Sequence, residues 1–285
     1  MTVLTIARLT VREASRRRLL LALLLLTVVV FATTGWGFSR LSTLSDRNGP
    51  LTALQVRLIT SQLLIIVMYM LSFVLALAAV FVAAPAISGE LESGIALAVL
   101  ARPLRRRDYI IGKWLGLAIL VAGYAVFATV GELITAGAIA GYAPPEPVQV
   151  ILYLALEGLV CLTLSLALST RLSGMVGGVI ALVVFGIAWL GGIVGGMGAV
   201  FANDAITQIG TVSRIVLPTD LLWRAAVWSL EPAATRALVA GAGPAAVATP
   251  FFAAGPPEAA WLIWAVVWTT GMLALAIQAF ERREI

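Results

Sequence analysis

The chain has 285 residues, 61% hydrophobic and 12% charged, with a formal net charge of +5. That composition excludes an ordinary soluble domain, which is near half apolar and a quarter charged. There is no histidine and one cysteine, Cys161, so an internal disulfide, His-ligated metal sites, Ser-His triads and histidine proton relays are excluded too.

Several windows of about 20 apolar residues define an all-α polytopic membrane protein. The runs are continuous, whereas a membrane barrel needs alternating strands of about ten residues. The basic excess then suits loops facing an anionic leaflet, and nucleic acid is not expected as a partner. The chain opens with Val3, Leu4, Ile6, Leu9 and Val11 interleaved with Arg8, Arg12 and Arg16, Arg17 and Arg18. Residues 1–18 read as an interfacial helix, with Arg12, Arg16, Arg17 and Arg18 anchored among headgroups; a merely basic flanking tail is the plainer alternative. The apolar run Leu19–Phe38 follows a basic stretch, as in a signal peptide. It has no small-residue cleavage site behind it, so it is expected to stay as the first of six transmembrane helices.

The second span is Leu63–Ala84, closed by Pro85, where the helix should break or bend. Then comes "SGELESGIALAVLARPLRRRDYIIGKWLG", in which Glu90, Glu92, Asp108, four arginines and Lys113 crowd between apolar spans. A loop that serves topology alone explains the arginines. It explains neither the Glu-x-Glu pair nor the apolar run behind it, which together suit a short docking helix for a cytoplasmic partner. The third span is Trp114–Ala140, the fourth Val148–Ser169, the fifth Met175–Phe201 and the sixth Ala259–Phe280. The third and fourth carry Glu132 and Glu157, costly groups in lipid that need a partner, a proton or water. At 1.5 Å per residue, Glu132 sits roughly 28 Å along its span, near headgroups. Glu157 sits roughly 13 Å into its own span, near mid-membrane, so direct pairing is not expected. Either is a polar spot on a substrate path or a carboxyl that only fixes packing. The glycines of the fifth span, Gly174/Gly178, Gly191/Gly195 and Gly192/Gly196, allow close helix approach within the subunit or at a dimer seam. Cys161 reads as a small buried hydrophobe.

Residues 202–258 form a long external segment. Within it Asp220–Leu230 reads as a short helix on or dipping into the outer leaflet, capped by Thr219 or Asp220 and stopped by Pro232. Arginine and lysine placement sets the orientation. With the N-terminus cytoplasmic, the larger share, including Arg102, Arg105, Arg106, Arg107, Lys113, Arg171, Arg282 and Arg283, falls inside. Arg40, Arg47, Arg57, Arg214, Arg224 and Arg236 fall outside. Both termini are therefore expected in the cytoplasm. No nucleotide-binding loop is present: "IIGKWLG" lacks the upstream glycine and a Ser or Thr after Lys113. Hydrolase and metalloprotease signatures are missing as well.

The stretch "GELESGIALAVLARPLRRRDYIIGKWLG", with Glu90, Glu92, Gly94, Pro103, Arg105, Tyr109, Gly112 and Lys113, resembles the loop between spans two and three of ABC-2-type permeases. The whole layout and "IVLPTDLLWRAAVWSLEP" are similar to that family too. The resemblance implies a single permease domain, 1–285, with an interfacial helix (1–18), a cytoplasmic coupling loop (85–113) and a structured external segment (202–258). It implies two separate ABC ATPase subunits, which hold ATP and Mg, and a second copy of the permease or a paralogue. Glu90, Glu92, Gly94, Arg102, Pro103, Arg105, Tyr109 and Lys113 would couple to the ATPase. No cofactor belongs to this chain itself. The expected setting is the bacterial inner membrane among its lipids. The resemblance implies no particular cargo; the apolar interior and apolar external segment favour an amphipathic, lipid-like or drug-like one. Two other readings stand beside it: a proton-coupled secondary transporter using Glu157, and a membrane assembly subunit that transports nothing.

Overall fold

The computed structural model describes residues 2–15, 18–41, 43, 45–46, 49–96 and 105–283. Six of its helices are long and apolar enough to cross a membrane. A chain in lipid must satisfy its own backbone groups, and a helix does so within one segment. The spans are α2 (Arg18–Leu41), α3 (Ala53–Ala83), α5 (Arg106–Ala140), α6 (Pro147–Ser169), α7 (Gly174–Gly198) and α12 (Ala259–Glu281). Each falls where the hydropathy of the sequence places one. α3 starts well before Leu63 because Thr52 caps it: the Gln55 N–H donates to Thr52 Oγ1 at 3.3 Å, and the Thr52 N–H donates to Gln55 Oε1 at 2.8 Å. Ser45–Asp46 (β1) and Gly49–Pro50 (β2) form a two-residue antiparallel bridge, Ser45 opposite Pro50.

α6 is the centre, packed on α3, α5, α7, α12 and the short helix α9 (Thr219–Leu230). The most apolar window of α6 is 61% buried against 17% for α2 and for α12, so those two helices are peripheral and give their apolar faces to lipid. Between helices in lipid, small residues set how close the backbones come. A Cβ added at Gly131 of α5 would lie 2.2 Å from the Phe31 ring of α2.

At one end, residues 204–216 form a helix the sequence reading did not find. α8 (Asp204–Val216) folds back along α7. The contact is backbone to backbone: a Cβ at Gly195 would sit 2.3 Å from Gly210 Cα. The glycine run therefore packs α8, and at Gly174 and Gly178 it packs the Ala84–Pro85 region, both within the chain. α9 matches the expected Asp220–Leu230 helix, with two corrections. Neither Thr219 nor Asp220 caps it by a side-chain hydrogen bond, because the Asp220 carboxylate is taken by Arg214 and Arg224. Its apolar stripe does not face a leaflet: Leu221, Leu222, Ala225, Ala226 and Val227 are buried against α6 and α7. α10 (Ala233–Ala242) and α11 (Pro244–Val247) complete this end. Trp223 Nε1 donates to the Pro250 carbonyl at 2.7 Å and holds the following loop down.

At the other end, α1 (Val3–Ala14) lies along α5. Ile6, Ala7, Thr10 and Ala14 face the protein, while Leu4 and Leu9 are exposed. Pro85 does not break the chain direction into a loop. Ala84 keeps helical angles, and α4 (Pro85–Glu92) carries on from α3. The acidic pair thus ends this arm and does not begin a separate docking helix. Past Gly94 the chain is helical again at Ile95 and Ala96, and the remainder of the expected docking helix, 97–104 with Arg102 and Pro103, lies outside the described residues, as do Arg16, Arg17 and the side chain of Arg18.

Candidate functional site

Three helices meet where α1 lies. α5 places Tyr109 and Lys113 four residues apart, on one face. α4 brings Glu90 to both: the Tyr109 hydroxyl and Lys113 Nζ donate to its two carboxylate oxygens. Lys113 Nζ also stands 3.5 Å from Glu13 Oε2 of α1. The Lys113 side chain is 7% exposed, so these acids are what make a cation tolerable there. The neighbouring stripe of α5 is glycine for a matching reason. A Cβ at Gly112 would lie 2.6 Å from Ile6 Cβ, and one at Gly116 would lie 2.6 Å from the Ala7 carbonyl oxygen. Glycine lets α1 approach, and the lysine then reaches between acids on two elements. The end of α12 joins the same junction: Tyr109 stacks on Phe280, ring centroids 5.5 Å apart, and Arg106 Nη1 donates to the carbonyls of Glu281 and Arg283.

Of the expected coupling residues, the fold therefore brings Glu90, Tyr109 and Lys113 together as an internal cluster. Glu92 and Arg105 are exposed. Gly94 ends the arm at φ +76°, a left-handed turn that a side chain would strain. Arg12, expected as a headgroup anchor, is exposed on α1.

The two intramembrane acids occupy different places. Glu132 is fully buried and accepts from Thr34 Oγ1 of α2 at 3.3 Å; it does not reach headgroups, because α2 covers it. Glu157 of α6 is buried beside a void of about 10 Å³, lined also by Tyr69, Ser72, Trp189, Thr219 and Asp220. That is room for one water. Among the described residues, neither Glu157 Oε2 nor Thr219 Oγ1 has a hydrogen-bond partner. The sequence reading missed that α9 dips to the depth of Glu157, since nothing local says how deep a short helix sits. Aromatic rings pack this layer, with Tyr69 5.0 Å from Trp223 and 5.2 Å from Phe251.

At the α9 end, Asp220 holds two arginines. Arg214 Nε donates to Oδ2 at 2.9 Å, and Arg224 Nε lies 3.1 Å from the same oxygen. The Asp220–Arg224 spacing of four on one helix was the signal that could have shown this. Nearby, the Arg236 guanidinium lies 4.1 Å over the Trp228 ring. Glu231 is fully buried and accepts from the Ala253 N–H at 3.4 Å. Burial pushes its pKa up to about 7 against the opposing pull of that hydrogen bond and of Arg236. Among the described residues no three Cys, Asp or Glu side chains gather as a metal-ligand group.

A family model described as "ABC-2 family transporter protein" matches residues 4–285. No curated protein matches the chain.

Proposed function

The chain belongs to the ABC-2 family of transporter proteins, and from that premise we propose that it works as the membrane half of an ATP-driven exporter. It is a multi-pass permease subunit of an ABC transporter. In the proposal, two separate ATPase subunits hold ATP and magnesium and dock at the α1 end. A second copy of the chain, or a paralogue, completes the membrane unit in a bacterial inner membrane. Both termini face the cytoplasm, and the cargo is amphipathic, lipid-like or drug-like.

The observation that carries this reading is the junction of α1, α4 and α5. An ATPase pressing on a loop moves the spans only if the loop is stiffly joined to them. α4 is continuous with α3, and Glu90 ties it to α5 through Tyr109 and Lys113 and to α1 through the same lysine. Glu92 and Arg105 stay on the surface, where a partner can reach them. The bias of arginine towards this end supports a cytoplasmic placement. Affinity purification of the tagged chain from its native membrane, with mass spectrometry of what accompanies it, tests the reading. An ABC ATPase in comparable amount is expected. A partner set without one would favour the assembly-subunit reading.

One observation favours a role for Glu157 on a substrate or proton path: its unpartnered oxygen beside a water-sized void. Secondary transporters build such sites from broken helices at mid-membrane, whereas α6 is unbroken from Pro147 to Ser169. We therefore place Glu157 within the ATP-driven reading. Glu157→Gln is expected to change export and leave assembly intact; wild-type export would make the carboxyl a packing group only.

A further inference from the structure

At the end of the bundle opposite α1, helices α7, α8, α9, the loop 253–258 and the start of α12 line an open cavity of about 590 Å³. That volume is in the range of small-molecule sites. Its walls are of two kinds. Arg214 and Arg224 line one part, and Leu221, Trp261 and Leu262 line another. The two arginines share one carboxylate, Asp220, whose side chain is 3% exposed. Asp220 fixes both guanidiniums in place, one carboxylate shared by two cations. Arg224 is committed further, donating Nη2 to the Gly192 carbonyl at 3.2 Å. Arg214 gives Nε to Asp220, and its Nη1 and Nη2 have no hydrogen-bond partner among the described residues. A guanidinium with donors to spare matches phosphate or carboxylate oxygens. Glu258 also lines the cavity but is exposed, where solvent and salt screen it.

We infer that this cavity binds an anionic amphiphile, its phosphate or carboxylate on Arg214 beside Arg224 and its alkyl part against Trp261 and Leu262. The apolar wall continues outwards: Ile263 and Val266, next along α12, are exposed, so a chain longer than the cavity runs on along that helix. The site deepens the proposed function by giving the cargo a chemical class, and it rests on that reading only for the idea that the bound molecule is cargo. Binding itself needs no ATPase.

The test is a titration of the purified full chain in neutral detergent. Myristoyl lysophosphatidate is the probe, with monomyristoylglycerol as the uncharged control and glycerol phosphate as the tail-less one. Lysophosphatidate is expected to bind one to one and both controls at least about tenfold more weakly. Arg214→Gln should weaken lysophosphatidate by about tenfold or more and leave monomyristoylglycerol unchanged. Because Arg214→Gln also removes a partner of Asp220, Ala254→Trp serves as a second variant. Ala254 lines the cavity and is exposed, so the indole fills cavity space while Arg214, Arg224 and Asp220 are all retained, and it should block the same probe. Equal binding of the neutral amphiphile, or lysophosphatidate binding unchanged in both variants, would overturn the inference. Dioleoylphosphatidylglycerol distinguishes the sources: displacement of the probe points to a membrane lipid, no displacement to a single-chain cargo, and either keeps the site. A negative titration leaves the ATPase-coupled reading standing, and a missing ATPase leaves a positive titration standing.

Discussion

Glu90 and Glu92 are two residues apart and do different work. Glu90 is bonded to Tyr109 and Lys113 inside the junction, and Glu92 is exposed. Removing one partner of a buried pair leaves the other charge uncompensated. Glu90→Ala is therefore expected to cost about 3 kcal/mol of stability, seen as a lowered unfolding midpoint in a denaturing detergent titration. Glu92→Arg should stay within about 0.5 kcal/mol of wild type and still reduce recovery of an ABC ATPase. The opposite pattern would undo the division of roles. The sequence marks both acids and the Gly112–Lys113 pair as unusual. It cannot separate their roles, because Glu90 meets Lys113 only if the helix runs on through Pro85, where the local chain reads as a break. A second residue gives a pH test. Burial raises the Glu231 pKa to about 7, above the ordinary carboxylate value of about 4.3. The folded state then holds a proton the unfolded state has lost, so this group's stabilisation is complete below pH ~4.3 and fades as pH rises to ~7. The loss should be on the order of 3 kcal/mol, and Glu231→Gln should flatten that part of a stability-against-pH curve measured by chemical unfolding. A variant with the same slope as wild type would assign it to another group.

Among the elements, the α7–α8 hairpin shows what lipid-facing packing demands. Its contact is Gly195 on Gly210, close enough that a methyl at Gly195 strikes backbone. Backbone does not yield as a side chain does, so Gly195→Ala should cost about 1–3 kcal/mol. Gly186→Ala on the same helix, with nothing within 4 Å of the added Cβ, should be neutral or slightly stabilising in the same unfolding assay. Equal effects would mean that α8 does not pack there. The six spans are legible in the sequence because lipid forces every long apolar run to satisfy its own backbone as helix. α8 is not, since "DAITQIGTVSRIV" is short and mixed in polarity and its partner is a glycine stripe that serves equally well for another subunit. α9 is half legible: its apolar stripe is plain, but whether that stripe meets lipid or α6 depends on how deeply the Asp220 ion pairs set it.

In the whole molecule, the two longest spanning units set the reach. α5 has 35 residues, about 52 Å of helix against a hydrocarbon core of about 30 Å. Its surplus from Arg106 to Lys113 lies beside α1 and α4, where Arg106, Tyr109 and Lys113 gather the ends of α12, α4 and α1. The opposite end is a cap in which α8 packs on α7, and α9 on α6 and α7. We read the first end as the place where ATP-driven motion enters and the second as the place where an amphiphile is held. Site-directed cross-linking tests the first point most directly. The single native thiol, Cys161, is buried, so a cysteine at Glu92 can be targeted with a bifunctional maleimide in native membranes, with Thr249→Cys as the exposed control at the opposite end. The account predicts a covalent adduct between Glu92→Cys and an ABC ATPase, and none from Thr249→Cys. Adducts at Thr249→Cys alone, or Glu92→Cys adducts that contain no ATPase, would contradict it.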